Sequence, residues 1–262
     1  MLTLSLILLA LLGLCVGSFL NAAVYRVAHK RKLGNDRSIC PHCKHILAAA
    51  DLVPVLSYLA LGGKCRYCHK KISVQYPLVE GITAIVFVLS GTARAFVDLS
   101  NPQLNFALLQ LLTLLIFESF LLFVALYDIR YGLILNKVIA PFYLIGILGA
   151  LVLQYPLTSI LAGAGVGIVF FGVLYFVSHG TWIGAGDVKF APLLGIMVGF
   201  PGILLALFVA YVGGALVSLF LIATKKRKKT DRIPFAGFLV AGGLVALLFG
   251  SQIISYYLNF LG

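Results

Sequence analysis

The chain has 262 residues, 61% of them hydrophobic and 11% charged, with a formal net charge of +12 and a mean hydropathy of +1.08. A soluble globular domain carries about 25% charged residues, so this composition excludes a soluble enzyme. Continuous apolar runs such as LLQLLTLLIF, in place of short alternating segments, exclude a β-barrel. What remains is an all-α polytopic membrane protein.

The first segment, 1–25, is apolar from Leu2 to Tyr25, and its basic residues follow the run instead of preceding it. That is the reverse of a cleavable secretory signal, so it is expected to be a retained span. Arg26 ends it, in a position suited to snorkelling toward phosphates. The loop 26–77 is long and basic, with ten Lys/Arg between Arg26 and Lys71. Further spans are predicted at 78–97, 104–127, 133–153, 157–178, 188–200, 203–223 and 235–260, about eight in all. The sixth is the short one, because some 13 apolar residues reach only about 20 Å against a core of about 30 Å. Outside 26–71, the cationic residues are Arg130, Lys137, Lys189, the run Lys225 to Lys229, Arg232 and the single Arg94. All but Arg94 fall on one side of the membrane in this topology. The positive-inside rule then explains the net charge and places those loops in the cytoplasm, with no nucleic-acid partner required. The organisation expected is a first helix (1–25), a cytoplasmic loop domain (26–77) and a transmembrane bundle (78–262).

The loop domain is too small for a substantial apolar core and needs a staple. Cys40, Cys43, Cys65 and Cys68 form C-x2-C-x21-C-x2-C, a spacing that brings four thiolates to one tetrahedral Zn²⁺. A reducing cytoplasm disfavours two disulfides. A closed four-cysteine site leaves no open coordination position, so its role is structural. His42, His45 and His69 are alternative ligands that four thiolates make unnecessary, and Cys15 in the first span reads as a small apolar residue.

Ionisable groups at membrane depth are costly and point to function. Five of the eight acidic residues come into question: Glu80, Asp98, Glu118, Asp128 and Asp187. Asp98 belongs to an outer loop, in a linker that also holds Pro102. Asp128 and Asp187 fall at the cytoplasmic ends of different predicted helices, at one depth, where they can meet. Paired carboxylates sharing a proton are the apparatus of aspartic proteolysis, one acting as base toward water and the other as acid. In TWIGAGDVK (181–189), Gly184 and Gly186 are expected to let the backbone take φ > 0 and to leave room for an extended peptide beside Asp187. Asp187 then opens the next helix, where its charge suits the N-terminus. Lys189, Glu80, Asn21 and Asn136 are candidates for supporting substrate or loop.

These blocks together resemble the bacterial type IV prepilin peptidases. GSFLNAAVYRV (17–27) resembles the opening block of that family, and the segment from CPHC (40–43) through CRYC (65–68) to YPLVE (76–80) its cysteine domain. LYDIRYGLILNKV resembles the block of the first catalytic aspartate, GAGDVKFAPLLG the GxGD block of the second, and PFAGFLVAGGL the closing segment. The resemblance implies Asp128 and Asp187 as catalytic residues of an inner-membrane enzyme that removes the basic leader of type IV prepilins or pseudopilins after a glycine. It also implies N-methylation of the new N-terminus with S-adenosylmethionine. Two departures stand out: Leu135 where the family commonly has proline, and Ala236-Gly237 where it commonly has Gly-Pro. The rivals are an ion-coupled transporter, for which only Glu118 lies near the midplane, and an inactive homologue serving as an assembly factor. A zinc protease is excluded because there is no HExxH.

Overall fold

The structure is a computed structural model that describes residues 2–34, 37–93, 104–224 and 234–261. The expectations concerning Arg94, Asp98, Pro102, the 225–229 run and Arg232 lie outside those residues. Among the described residues the regular structure is helical, apart from two isolated bridges in the cysteine loop, which is otherwise mostly turns and irregular chain. Its contacts divide it into two compact units, residues 1–104 and 105–262.

The first unit holds α1 (Leu2–Ala28), a 3-10 turn (Ala49–Leu52), the short α2 (Leu56–Ala60) and α3 (Gln75–Ala93). Helices α1 and α3 pack along a seam of small residues. A Cβ on Gly13 would stand 2.5 Å from the Ala84 Cα, and one on Gly17 would stand 2.6 Å from the Glu80 Cα. Between helices in lipid, where burial gives no hydrophobic gain, such close backbone approach supplies the packing. Asn21 reinforces the seam by donating from Nδ2 to the carbonyls of Gly17 (3.3 Å) and Tyr76 (3.2 Å).

The second unit holds α4 (Leu104–Tyr131), α5 (Asn136–Val152), α6 (Leu157–Val177), α7 (Ala185–Val198), α8 (Gly202–Ala223) and α9 (Ala236–Leu261). Among the described residues six helices, α1, α3, α4, α6, α8 and α9, are long and apolar enough to cross a bilayer. Helices α5 and α7, with 17 and 14 residues, stand at the other two of the eight predicted spans and are shorter than a span requires. The predicted sixth span is α7, and its shortness has a packing explanation. Every residue from Phe190 to Val198 is buried. It packs against α5, α6, α8 and α9, so it is the inner post of the unit. Its closest neighbour is the antiparallel α6. Cβ atoms on Gly163 and Gly195 would each collide with the other's carbonyl oxygen, and one on Gly167 would lie 2.7 Å from the Ala191 carbonyl carbon.

Candidate active site and metal centre

In the first unit the four cysteines converge. Their Sγ atoms all lie within 4.8 Å of one another, with Cys40 and Cys68 4.0 Å apart. Four sulfurs about 2.3 Å from one tetrahedral Zn²⁺ would stand about 3.8 Å apart, so the donor set fits that ion. Each CxxC pair is built the same way. The N–H of Lys44 donates to the Cys40 carbonyl at 3.0 Å and that of His69 to the Cys65 carbonyl at 2.9 Å. Lys44 and His69, each directly after the second cysteine of its pair, both turn into the left-handed region (φ 59° and 56°). Each loop closes with one antiparallel bridge, Ile39 with Ile46 and Lys64 with Lys71.

Asp51 ties the two halves together, a role the sequence reading did not identify. Its Oδ1 accepts from Arg66 Nε at 2.7 Å, and its Oδ2 accepts from Tyr67 at 3.0 Å and from the Ala48 N–H at 3.1 Å. Tyr67 also stacks on His45 of the first loop, ring centroids 3.7 Å apart. Burial pushes the Asp51 carboxyl up, but the bonds from Arg66, Tyr67 and Ala48 outweigh it and hold the group below the usual carboxylate range. Burial likewise opposes ionisation of Cys40, yet the backbone N–H groups of Cys43 and His42 prevail and lower that thiol to about 7. Cys68 moves the other way: the Lys70 N–H lowers it, but burial and hydrogen bonds with Cys65, Cys43 and Cys40 raise it to about 11, so the thiols shed their protons together on meeting a metal.

In the second unit, Asp128 stands near the C-terminal end of α4, which stops where Gly132 takes φ +64° and donates its N–H to the Asp128 carbonyl at 2.7 Å. Asp187 is the third residue of α7. Gly184 is its N-cap, and the Asp187 carboxylate reaches back to accept from the Gly184 N–H. Both aspartates are buried, at 6% and 9% exposure, and the two carboxylates are within electrostatic reach of each other. The Asp128 carboxylate is met by the N–H groups of Ala236 and Gly237 at the start of α9, while its buried Oδ2 has no hydrogen-bond partner. Those N–H groups belong to the first turn of a helix, where they lack intrahelical partners. Gly237 occupies the position at which the resembled family commonly carries proline, which has no N–H to offer.

The glycines of the GAGD stretch act differently from expectation. Neither takes positive φ; Gly184 is extended at φ −72°. The left-handed turn falls earlier, at His179 (49°) and Gly180 (73°). What Gly186 supplies is space, because a Cβ there would lie 3.0–3.3 Å from the Ile134 side chain. A helix entered from an extended N-cap needs no left-handed residue, so an ordinary helix start replaced the tight turn predicted.

The remaining candidates separate. Lys189 is exposed and donates to Asn136 Oδ1 at 3.2 Å, joining the first turns of α7 and α5. Glu118 is wholly buried on α4, ten residues before Asp128. Glu80 and Asn21 belong to the first unit, where the buried Glu80 accepts from the Val55 N–H at 2.7 Å.

Sequence profiles match this chain in two places. One, described as Bacterial Peptidase A24 N-terminal domain, covers residues 11–93, and the other, described as Type IV leader peptidase family, covers residues 114–219. The chain is 34% identical over 255 residues to a prepilin leader peptidase/N-methyltransferase of Bacillus subtilis (strain 168), covering 96% of this chain and 97% of the relative. A protein of the same name from Myxococcus xanthus (strain DK1622) is 34% identical over 226 residues, 82% of this chain and 63% of the relative. A third, from Pseudomonas putida, is 31% identical over 283 aligned positions, 96% of this chain and 93% of the relative. No solved structure matches the chain.

Proposed function

The chain belongs to the type IV leader peptidase family, and from that premise we propose that it removes the basic leader of type IV prepilins or pseudopilins. Cleavage follows a glycine at the cytoplasmic face of the inner membrane and uses Asp128 and Asp187 as a catalytic pair. The observation that carries this reading is the meeting of two buried carboxylates from the ends of α4 and α7, one with an oxygen lacking any partner.

Two such carboxylates titrate as a unit and hold one proton between them. The ionised member takes a proton from a water molecule as the water oxygen adds to the scissile carbonyl. The protonated member gives its proton to the carbonyl oxygen. In the collapse of that adduct the C–N bond breaks, the first aspartate protonates the leaving amine, and the second recovers a proton from the adduct hydroxyl. The pair ends as it began. Gly184 leaves the Asp187 carboxylate uncrowded, Gly186 makes room for Ile134, and Lys189 with Asn136 joins the start of α7 to α5.

The zinc ion expected at Cys40, Cys43, Cys65 and Cys68 would close the loop domain and take no part in cleavage. N-Methylation of the product is carried over from the names of the relatives. Among the described residues no glycine-rich cradle of the soluble methyltransferase type marks a place for S-adenosylmethionine, so no step is derived through it. That donor would supply a methyl group to the freed amine.

The test uses purified chain in detergent micelles with a prepilin bearing a basic leader, a glycine and an apolar span. Mass spectrometry reads the product of the parent chain, Asp128→Asn and Asp187→Asn. Asparagine keeps the shape and removes the shared proton, so both variants should stop cutting while retaining zinc. Normal cleavage by either one overturns the two-aspartate mechanism. A product heavier by one methyl group in the presence of S-adenosylmethionine establishes the second activity.

A further inference from the structure

One apolar surface of the first unit belongs to neither a span nor the cysteine cluster. Leu52, Val53, Leu56 and Leu59 are 40%, 42%, 65% and 66% exposed. Leu56 and Leu59, three residues apart on α2, share a face of that helix, and Leu52 and Val53 close the 3-10 turn just before it. A row of exposed leucines on a loop domain of this size marks an interaction surface.

A single hydrogen bond fixes its level. The Val55 N–H donates to Glu80 Oε2 at 2.7 Å. Glu80 is five residues into α3, about 7.5 Å along its axis. It also hydrogen-bonds Ser18 of α1, which precedes Arg26 by eight residues, or about 12 Å. The stripe is therefore held alongside interior turns of both helices, on the bilayer side of Arg26. Beside it α3 exposes Leu78, Ile82 and Ile85, and Val74 is exposed just before the helix starts. The local backbone is bent to suit. Val55 adopts φ +59°, a conformation β-branched residues avoid, and the Leu56 N–H closes on the Pro54 carbonyl at 2.6 Å. The loop that carries the stripe is net basic. Residues 26–77 carry ten Lys/Arg against Asp36 and Asp51, and Asp51 is bonded to Arg66, while Lys64, Lys70 and Lys71 are exposed.

We propose that residues 52–59 form an interfacial membrane anchor. Leu52, Val53, Leu56 and Leu59 sit in the headgroup–acyl boundary of an anionic phospholipid bilayer, and the Glu80–Val55 hydrogen bond sets their depth. An amphipathic element lying in the interface buries its apolar face there and gains from basic neighbours on anionic lipid. The loop domain is then fastened to the membrane at three places, α1, α3 and this stripe, and its metal site is held at fixed height.

The test is lipid-contact quenching on the full chain reconstituted in phosphatidylglycerol-containing bilayers. Leu59→Trp is made on a Trp182→Phe background, so that emission reports position 59 alone. Zinc content and circular dichroism confirm that the variant is folded, and Leu56→Trp replaces it if it is not. Bilayers brominated near the headgroup end of the acyl chain should lower its emission about two-fold or more, with aqueous acrylamide much less effective. The reverse order means that the stripe faces water and overturns the proposal. Protection from both quenchers means that protein covers it, which overturns the proposal equally.

Discussion

Gly163→Ala adds one methyl group at a place with no room for it. Its Cβ would run into the Gly195 carbonyl oxygen and lie 3.0 Å from that carbonyl carbon and 3.1 Å from the carbonyl carbon of Gly199. Non-bonded carbons settle at about 3.5–4.0 Å, so α6 and α7 must separate by roughly 1 Å. Overpacking of that kind costs about 1–3 kcal/mol. The function should suffer more than the stability. Residues 187, 191 and 195 lie one turn apart on α7, so a shift imposed at Gly195 travels along a rigid helix to Asp187. A displacement of about 1 Å in a reacting group can cost on the order of 100-fold in rate. The assays are thermal unfolding in detergent and prepilin cleavage, with Gly165→Ala as control, since a Cβ there meets nothing within 4 Å. The expected result is a lower melting temperature and a large loss of rate for Gly163→Ala, with neither effect in the control. Combining it with Gly195→Ala should add less than the two single costs, because both methyl groups demand the same separation. If Gly163→Ala melts and cleaves like the parent chain, α6 does not position the aspartate and the reasoning fails.

Three further outcomes are expected. Cys65→Ser should abolish tight zinc binding and unfold the loop domain, because binding at such sites is itself the folding free energy, about 10–16 kcal/mol in small zinc peptides; metal analysis with hydrogen exchange over 38–72 reads both. Asp51→Asn should raise the pH at which zinc is lost on acidification. The depressed Asp51 carboxyl stabilises the folded loop above its ordinary value of about 4 and stops doing so only as pH falls below it. The variant lacks that contribution at every pH; because Arg66 is half exposed, water screens much of it and the shift should be small, and an unchanged midpoint would refute it. Gly237→Pro fits the first turn of α9 but deletes an N–H that faces Asp128, so melting should hold while cleavage drops several-fold; an unchanged rate would show that the Ala236 N–H suffices.

How far the sequence led depended on the range of each interaction. The cysteine cluster was legible because C-x2-C places its own two ligands, and two copies leave little choice about the partner. Asp128 and Asp187 were legible because a carboxylate at the end of an apolar run is costly wherever the helices pack. The ties made by Asp51, to residues 15 and 16 positions away, and by Glu80 to a backbone group 25 positions away, carried no local mark, since one acid in a loop looks like any other. The N–H groups that α9 turns toward Asp128 were hidden for the same reason. The α6–α7 approach did leave a signal, the Gly163-x3-Gly167 spacing, a small-residue pattern for close helix crossing. Reading the glycines of GAGD for conformational freedom was an error about which property of glycine was in use.

The shortness of α7 follows from its task. A helix of 14 residues rises about 21 Å, less than the roughly 30 Å hydrocarbon core, and one facing lipid would pay for that mismatch. Helix α7 packs against α5, α6, α8 and α9 and is buried from Phe190 to Val198, while Ala185 and Lys189 near its start are exposed. Its first turn nonetheless carries a buried carboxylate, that of Asp187. From there it reaches back to the Gly184 N–H and still lies within electrostatic reach of Asp128. Asp128, three residues before the end of α4, and Asp187, three residues into α7, thus both stand at helix ends, which is where the proposed pair needs them.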